Sequence, residues 1–370
     1  MYDFTFILPE ISRRPIGGYK IVYEYCNRLS DLGYNVSIIH LRKRSKSKLH
    51  FVKRVIENLL HKYIFGSEVV WFRLAIGIKV QEIESAHILE DQQFESLYYV
   101  ATAWDTAKIT KKIADFFNAY GLYLIQGYET WDAEEKEIIQ TYHLGLRNIA
   151  IAKWLQESVK NSGAECYFVP NAFDFEDFHV VEPPCSRDGK IVLTMFHDSP
   201  LKGFKDVVSA CEIVKEKYPE TRFIAFGAYQ PGEYLPEWMS FHFAPSKERL
   251  RNLYNSSSIF LSGSYTEGWA LPPSEAMQCG CALVATDIPG HRDFSIHGVN
   301  ALLSEPGNYQ LMAEHISLLL ENPSFRIRLA TSGNEFIQNY TWSKTISRFL
   351  DICDAASIIR MDKTKIEADL

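Results

Sequence analysis

The stretch from Thr266 to Ala285 reads TEGWALPPSEAMQCGCALVA and carries two carboxylates, Glu267 and Glu275, with seven residues between them. A β-branched and aromatic run, Ile259 to Ser262, comes just before it, and a second apolar run, Ala282 to Thr286, closes it. Pro272 and Pro273 have no amide proton and suit the first turn of a helix, expected here from Pro273 to Cys279. The segment therefore reads as strand, loop, helix and strand. Glu267 falls on the loop, Glu275 falls near the start of the helix, and main-chain amides lie between them. Such a loop can hold a phosphate and a sugar together. The amides of Trp269 to Leu271 suit diphosphate oxygens, while the carboxylates accept hydrogen bonds from vicinal hydroxyls. Taken alone, the spacing also fits a solvated loop with two unrelated acids.

The alternation of short apolar runs with helical-period segments continues in both directions, the pattern of parallel sheets with crossover helices, so the class is α/β. In the first half, strands are expected at Phe4–Leu8, Val36–Leu41, Leu97–Thr102, Leu122–Gln126, Asn148–Ala152 and Cys166–Val169. Between the first two, Ile21, Val22, Tyr25, Cys26, Leu29 and Leu32 line one helical face before Gly33, which makes a βαβ unit. The Pro- and Gly-punctuated stretch from Pro170 to Gly189 reads as a linker. Beyond it, strands are expected at Ile191–Phe196, Arg222–Phe226, Ile259–Ser262 and Ala282–Thr286. Helices are expected at Phe204–Lys217 and Leu311–Leu320, and the last helical stretch, Trp342–Ile359, follows both sheets.

The chain has 370 residues, 46% hydrophobic and 23% charged, which suggests two domains and excludes a single small one. No stretch approaches the roughly 18 unbroken apolar residues of a membrane span, and the N-terminus lacks the basic start and cleavage site of a signal peptide, so a cytoplasmic location is expected. The seven cysteines show no CxxC spacing and point to reduced thiols rather than a disulfide framework or a zinc ribbon. A net charge of −7 argues against a nucleic-acid coat, so any anionic ligand needs a local site.

With its neighbours, the quoted stretch resembles the retaining glycosyltransferases of family 4, which have the GT-B fold: two Rossmann-like domains facing each other across a cleft. EGWALPPSEAM matches the family's E-G-x-x-L-P-x-x-E-A-M. The continuation CGCALVATDIPGHRDFSIHGVNALL matches its helix end, short strand, T-D-x-P-G and N-A-L-L turn. Gly17 and Gly18 after the first strand, the segment Val169 to Asp174, Leu201 to Phe204, and Thr341 with Trp342 extend the resemblance over most of the chain. It implies an acceptor-side domain over residues 1–172, a nucleotide-sugar-binding domain over 173–340, and a C-terminal helix over 341–370 returning toward the first domain.

By the same resemblance, Glu275 binds the ribose hydroxyls of a nucleoside-diphosphate sugar and Glu267 contacts the hydroxyls of the transferred sugar. The loop Gly268, Trp269, Ala270, Leu271 meets the diphosphate, and Lys202 neutralises it as it leaves. Where the family usually has an arginine this chain has His197, so either His197 serves with a pH-dependent charge or Arg292, Lys205 or another residue reaches in. The family's first-domain histidine is also missing. Its loop reads QGYETW, with Gln126, Tyr128 and Glu129, and the Y-x-x-Q-x-Y-E run looks like bacterial rhamnosyltransferases that use dTDP-L-rhamnose. Glu129 is a candidate for orienting a hydroxyl, and Tyr128 and Trp131 for stacking on a sugar ring. Gly17 and Gly18 can bring amides close to the donor phosphate or the acceptor, and Arg13 and Arg14 suit an anionic acceptor such as a lipid diphosphate.

Residues 42–54, RKRSKSKLHFVKR, hold seven Lys or Arg and no acid, and apolar residues recur at helical spacing from Phe51 to Tyr63. A basic amphipathic helix of this kind suits an anionic membrane surface. The expected activity is sugar transfer to a glycan or lipid-linked acceptor in bacterial cell-surface glycan synthesis, peripheral to the inner face of the membrane. No D-x-D run is present, so no metal and no cofactor are expected. The rivals are a GT-B epimerase or hydrolase of nucleotide sugars, and a non-catalytic sugar-nucleotide or membrane-binding scaffold.

Overall fold

The structure, a computed structural model, describes residues 1–42, 69, 71–84 and 95–368. Its chain divides into two units, Met1–Asn171 with Trp342–Leu370, and Ala172–Thr341.

The first unit is a seven-stranded parallel sheet of β1 (Tyr2–Leu8), β2 (Val36–Arg42), β3 (Lys79–Glu84), β4 (Ser96–Ala101), β5 (Tyr120–Ile125), β6 (Arg147–Ala150) and β7 (Cys166–Phe168), in the spatial order β3-β2-β1-β4-β5-β6-β7. Phe6 on β1 lies in register with Ile38 on one side and Val100 on the other, so the central strands are apolar on both faces. The helix Gly17–Asp31 buries Ile21, Val22, Tyr25, Cys26 and Leu29, the face marked by the helical period. The final helix, Trp342–Ala368, belongs to this unit because its side chains complete the unit's aromatic core. Phe349 meets Phe4, Phe6 and Tyr25, and Trp342 packs edge-on against Tyr25 at 5.3 Å. Polar ties fix its register: the Tyr98 hydroxyl donates to the Cys353 carbonyl at 3.1 Å and Thr345 Oγ1 to the Pro170 carbonyl at 3.0 Å.

The second unit repeats the plan with six parallel strands, β8 (Ile191–Met195), β9 (Arg222–Gly227), β10 (Met239–Phe243), β11 (Ile259–Ser262), β12 (Ala282–Thr286) and β13 (Ala301–Ser304), in the order β10-β9-β8-β11-β12-β13. Val192, Phe223, Leu261 and Val284 from the sheet pack with Val207, Ala210, Met312 and Ile316 from the flanking helices. In each unit the strand order reverses at one point, between β1 and β4 and between β8 and β11. The loops leaving the C-terminal ends of those strands are where α/β folds bind ligands.

Three strands escape the sequence reading, and all are sheet edges: β3, β10 and β13. KVQEIE in β3 is largely polar and only partly buried, and the N-A-L-L segment, expected as a turn, instead supplies β13 alongside β12. An edge strand needs only one buried flank, so its apolar signal is weak. The stretch from Pro170 to Gly189 is not a free linker either. Arg187 is buried, and its guanidinium donates to the carbonyls of Glu182, Tyr254, Ser257, Cys279 and Gly280, which packs this stretch onto the second unit. Proline and glycine mark irregular backbone there, not freedom from the fold.

Candidate functional site

Strand β8 ends at Met195, and the loop beyond it carries His197 and Lys202 before the helix Phe204–Lys217. Strand β11 ends at Ser262 and leads through Gly263 and Glu267 to the helix Leu271–Gln278. The two loops are tied together, with the Tyr265 amide donating to the Leu201 carbonyl at 2.8 Å. Gly203 has φ +60°, and a Cβ there would lie 1.9 Å from the Gly263 carbonyl oxygen, so only glycine permits this approach. A Cβ on Gly290 would lie 2.3 Å from the main-chain oxygen of Glu267. Glycines on two loops thus bring Lys202 and Glu267 face to face.

The outcome is a bidentate ion pair. Lys202 Nζ donates to Glu267 Oε1 at 2.7 Å and Oε2 at 2.8 Å, with 26% of the lysine side chain and 12% of the glutamate exposed. Ser264 Oγ adds a third bond to Glu267 Oε1 at 2.9 Å. Beneath the pair, His291 is fully buried, its Nδ1 2.7 Å from the Thr286 carbonyl; burial, the main influence, drives its titration down. His291 is therefore a neutral support. Sequence spacing brought out the glutamate and the family resemblance the lysine, but neither gave their contact, nor Ser264, whose only signal is its position three residues before Glu267.

The helix Leu271–Gln278 begins with Pro272 and Pro273 in its first turn. Of the amides a helix start leaves unpaired, these two are missing, and those of Ala270 and Leu271 remain to serve an anion. The Trp269 side chain is internal. Its Nε1 donates to Ser274 Oγ at 3.2 Å and its ring stacks on Phe294, so only its main chain can reach a ligand. Glu275 is buried on the same helix, and the Tyr254 hydroxyl donates to its Oε2 at 3.1 Å.

His197 is half-buried, and its Nδ1 accepts the Ser199 amide at 3.0 Å. Asp198 Oδ1 lies at the same distance, an ion pair only if the ring is protonated. Burial first and Lys202 second lower its titration against the opposing pull of Asp198 and Glu267. With Nδ1 engaged by an amide donor, the neutral ring carries its proton on Nε2. Arg292 is committed to Asp287, at 2.7 and 3.1 Å.

In the first unit, Gly17 opens the helix Gly17–Asp31, and a Cβ on Gly18 would meet Gln126 Oε1 at 3.3 Å. Gln126 Nε2 donates to the Thr102 carbonyl. Glu129 Oε2 accepts the Trp104 amide at 2.7 Å, which caps the helix Trp104–Phe116 from outside, where its own N-cap Ala103 has no side chain to do so. Burial above all, with Asp105 and Asp132 adding repulsion, pushes the Glu129 carboxyl up to about 7 against the lowering effect of that amide bond. Tyr128 donates to Glu135 at 2.7 Å, Trp131 is 57% exposed, and Arg13 and Arg14 lie on an exposed loop. Residues 43–63 of the basic stretch lie outside the described residues.

Comparison with known proteins agrees with this fold. A solved structure of Anabaena Alr3699/HepE in complex with UDP and glucose matches 96% of this chain and 100% of its own, with a TM-score of 0.73 at 15% identity. The fold is thus of the GT-B class, built of two Rossmann-like domains. Residues 177–336 match the family model of the glycosyl transferases group 1, a span that contains Lys202, Glu267 and Glu275. An uncharacterised glycosyltransferase of Haemophilus influenzae is 27% identical over 173 residues, 45% of this chain and 49% of that protein. The N,N'-diacetylbacillosaminyl-diphospho-undecaprenol alpha-1,3-N-acetylgalactosaminyltransferase of Campylobacter jejuni is 26% identical over 159 residues, 41% of each. The chain spans half or less of the length of these curated relatives.

Proposed function

We propose that the protein is a retaining, family-4-like glycosyltransferase that moves a sugar from a nucleoside diphosphate to an acceptor hydroxyl, with rhamnose as the transferred sugar and a bacterial cell-surface glycan as the product. The observation that carries this reading is the Lys202–Glu267 pair at the switch point of the second unit, with Glu275 seven intervening residues further along. In the proposed reaction the anomeric carbon–oxygen bond to the diphosphate breaks, a bond to the acceptor oxygen forms on the same face, and the acceptor proton passes to the departing diphosphate. Lys202 and the amides of Gly268 to Leu271 stabilise the charge that develops on the diphosphate, a contribution of several kcal/mol for fixed donors. Glu267 orients the sugar and Glu275 holds the nucleoside's pentose. The first unit is proposed to take the acceptor, with Arg13, Arg14, Tyr128 and Trp131 as candidate contacts. A lipid-linked acceptor is supported by the Campylobacter relative's name. No divalent metal is assigned a role, so activity should survive chelator.

A donor panel with analysis of both products tests the reading. Sugar transfer with retention, seen by NMR of the glycoside, supports it. Donor turnover without an acceptor points instead to an epimerase or hydrolase, and nucleotide binding without turnover to a scaffold. The basic run in residues 42–54 supports docking on an anionic membrane, at about 1 kcal/mol per engaged basic residue. Salt-sensitive sedimentation with anionic but not neutral vesicles is the expected result. Replacement of Lys43, Arg44, Lys46 and Lys48 by Ser should abolish it.

A further inference from the structure

Glu275 sits in a buried setting, and a buried carboxylate is held in place by whatever donates to it. Here a donor is the hydroxyl of Tyr254, from the helix Lys247–Ser256. The tyrosine is fully buried, and its ring is fixed edge-on against Phe178 and Phe226, at 5.7 and 5.8 Å, and tilted against Phe260 at 5.8 Å. Its other end is fixed as well. The Tyr254 carbonyl accepts from Arg187 Nη1 at 3.3 Å and from Cys281 Sγ at 3.1 Å. The same guanidinium reaches the carbonyls of Cys279 and Gly280 just beyond the helix that carries Glu275. Arg187 thus sets the two helix ends against each other, and the tyrosine spans between them to the carboxylate.

The donor is also neutral. A hydroxyl donor orients the carboxylate without bringing a charge of its own.

We propose that Tyr254 is a positioning residue for nucleotide recognition: it holds Glu275 in the orientation that accepts a pentose hydroxyl of the donor nucleoside. This rests on the donor chemistry proposed above. It goes further in naming the element through which the second unit distinguishes one pentose from another. A packing role for the ring predicts something different, because Tyr254→Phe keeps the ring and removes only the hydroxyl.

Calorimetry on the full chain separates the two. UDP, GDP and dTDP are titrated first, and the tightest binder is then compared with its analogue lacking a pentose hydroxyl, against wild type, Tyr254→Phe, Glu275→Ala and the double variant. Thermal unfolding confirms that each variant is folded. The expected result is that Tyr254→Phe weakens the parent nucleotide about tenfold, that the loss shrinks to near unity for the analogue, and that it vanishes when Glu275 is already Ala. Equal weakening of both nucleotides, no weakening, or a full loss persisting in the Glu275→Ala background each overturns the positioning role and leaves the nucleotide site intact. If wild type binds none of the three nucleotides, the donor chemistry itself fails and takes this inference with it.

Discussion

Glu267 in the second unit and Glu129 in the first occupy comparable places, on loops that leave the C-terminal ends of parallel strands, β11 and β5. Their surroundings are opposite. Glu267 is gripped by both a lysine ammonium and a serine hydroxyl, whereas Glu129 has acids for neighbours, Asp105 and Asp132, and a helix amide as its donor. One loop holds its carboxylate in an ion pair, and the other buries a carboxyl whose titration is raised to about 7. A shared fold therefore says where a functional side chain stands but leaves its charge to its neighbours.

The largest expected effect bears on the ion pair at Glu267. Lys202→Ala removes the cation that faces Glu267, and turnover should fall about 10²- to 10³-fold, the usual range for loss of one fixed stabilising donor. Glu129→Gln, which keeps an acceptor for the Trp104 amide, should cost less than tenfold. Steady-state kinetics on both variants with the same donor checks the contrast. A Glu129→Gln loss as large as that of Lys202→Ala would break it.

Within the second unit the two carboxylates should separate by step. Glu275→Ala is expected to weaken nucleoside diphosphate binding roughly tenfold to a hundredfold, and Glu267→Ala mainly to lower turnover, because one is assigned to the nucleoside and the other to the sugar being transferred. Calorimetry with the nucleotide alone distinguishes them. Unchanged affinity in Glu275→Ala removes the pentose assignment.

A smaller effect reports on Glu129 through stability. Its carboxyl is raised from the ordinary 4.5 to about 7, so the folded state holds a proton that the unfolded chain has already lost. The sign follows: the contribution is complete below pH 4.5 and is lost as pH rises through about 7. Between pH 5 and 7.5, wild type should lose about 1 to 3 kcal/mol relative to Glu129→Gln, read from urea midpoints. Parallel curves for the two proteins would show that this carboxyl is not perturbed.

Much of this contrast was legible in the sequence, and the missing part has a physical cause. The central strands and the helix Phe204–Lys217 stand out because both flanks of a buried parallel strand, and one face of its covering helix, must be apolar. The edge strands β3, β10 and β13 lack that requirement. Glu267 and Glu275 emerge from spacing along the chain, since loop and helix start are local, and Lys202 from the family resemblance. Tyr254 and Arg187 do not, because they act across 21 and about 70 to 90 residues through contacts that only the folded sheet creates. The capping role of Glu129 was likewise hidden, its partner Trp104 being 25 residues upstream at the start of a helix.

The smallest expected effect concerns His197, and it decides how many cations the second unit brings to its site. If the ring stood in for the family's arginine as a charged group, activity would decline as pH rises through its titration, and His197→Arg would remove that decline. The structure argues the other way. Burial and the nearby Lys202 both lower the titration of His197, so above neutral pH the ring is already uncharged. Its Nδ1 is already an acceptor for the Ser199 amide, a bond that a doubly protonated ring cannot accept. His197→Arg and wild type should therefore share the same alkaline limb in kcat/KM, and His197→Asn, which keeps an acceptor for that amide, should stay within about threefold of wild type at pH 8. An alkaline decline present in wild type and absent from His197→Arg would establish a titrating cation at His197. The second unit would then hold one fixed and one switchable charge, and its contrast with the proton-holding loop of the first unit would narrow to Lys202 alone.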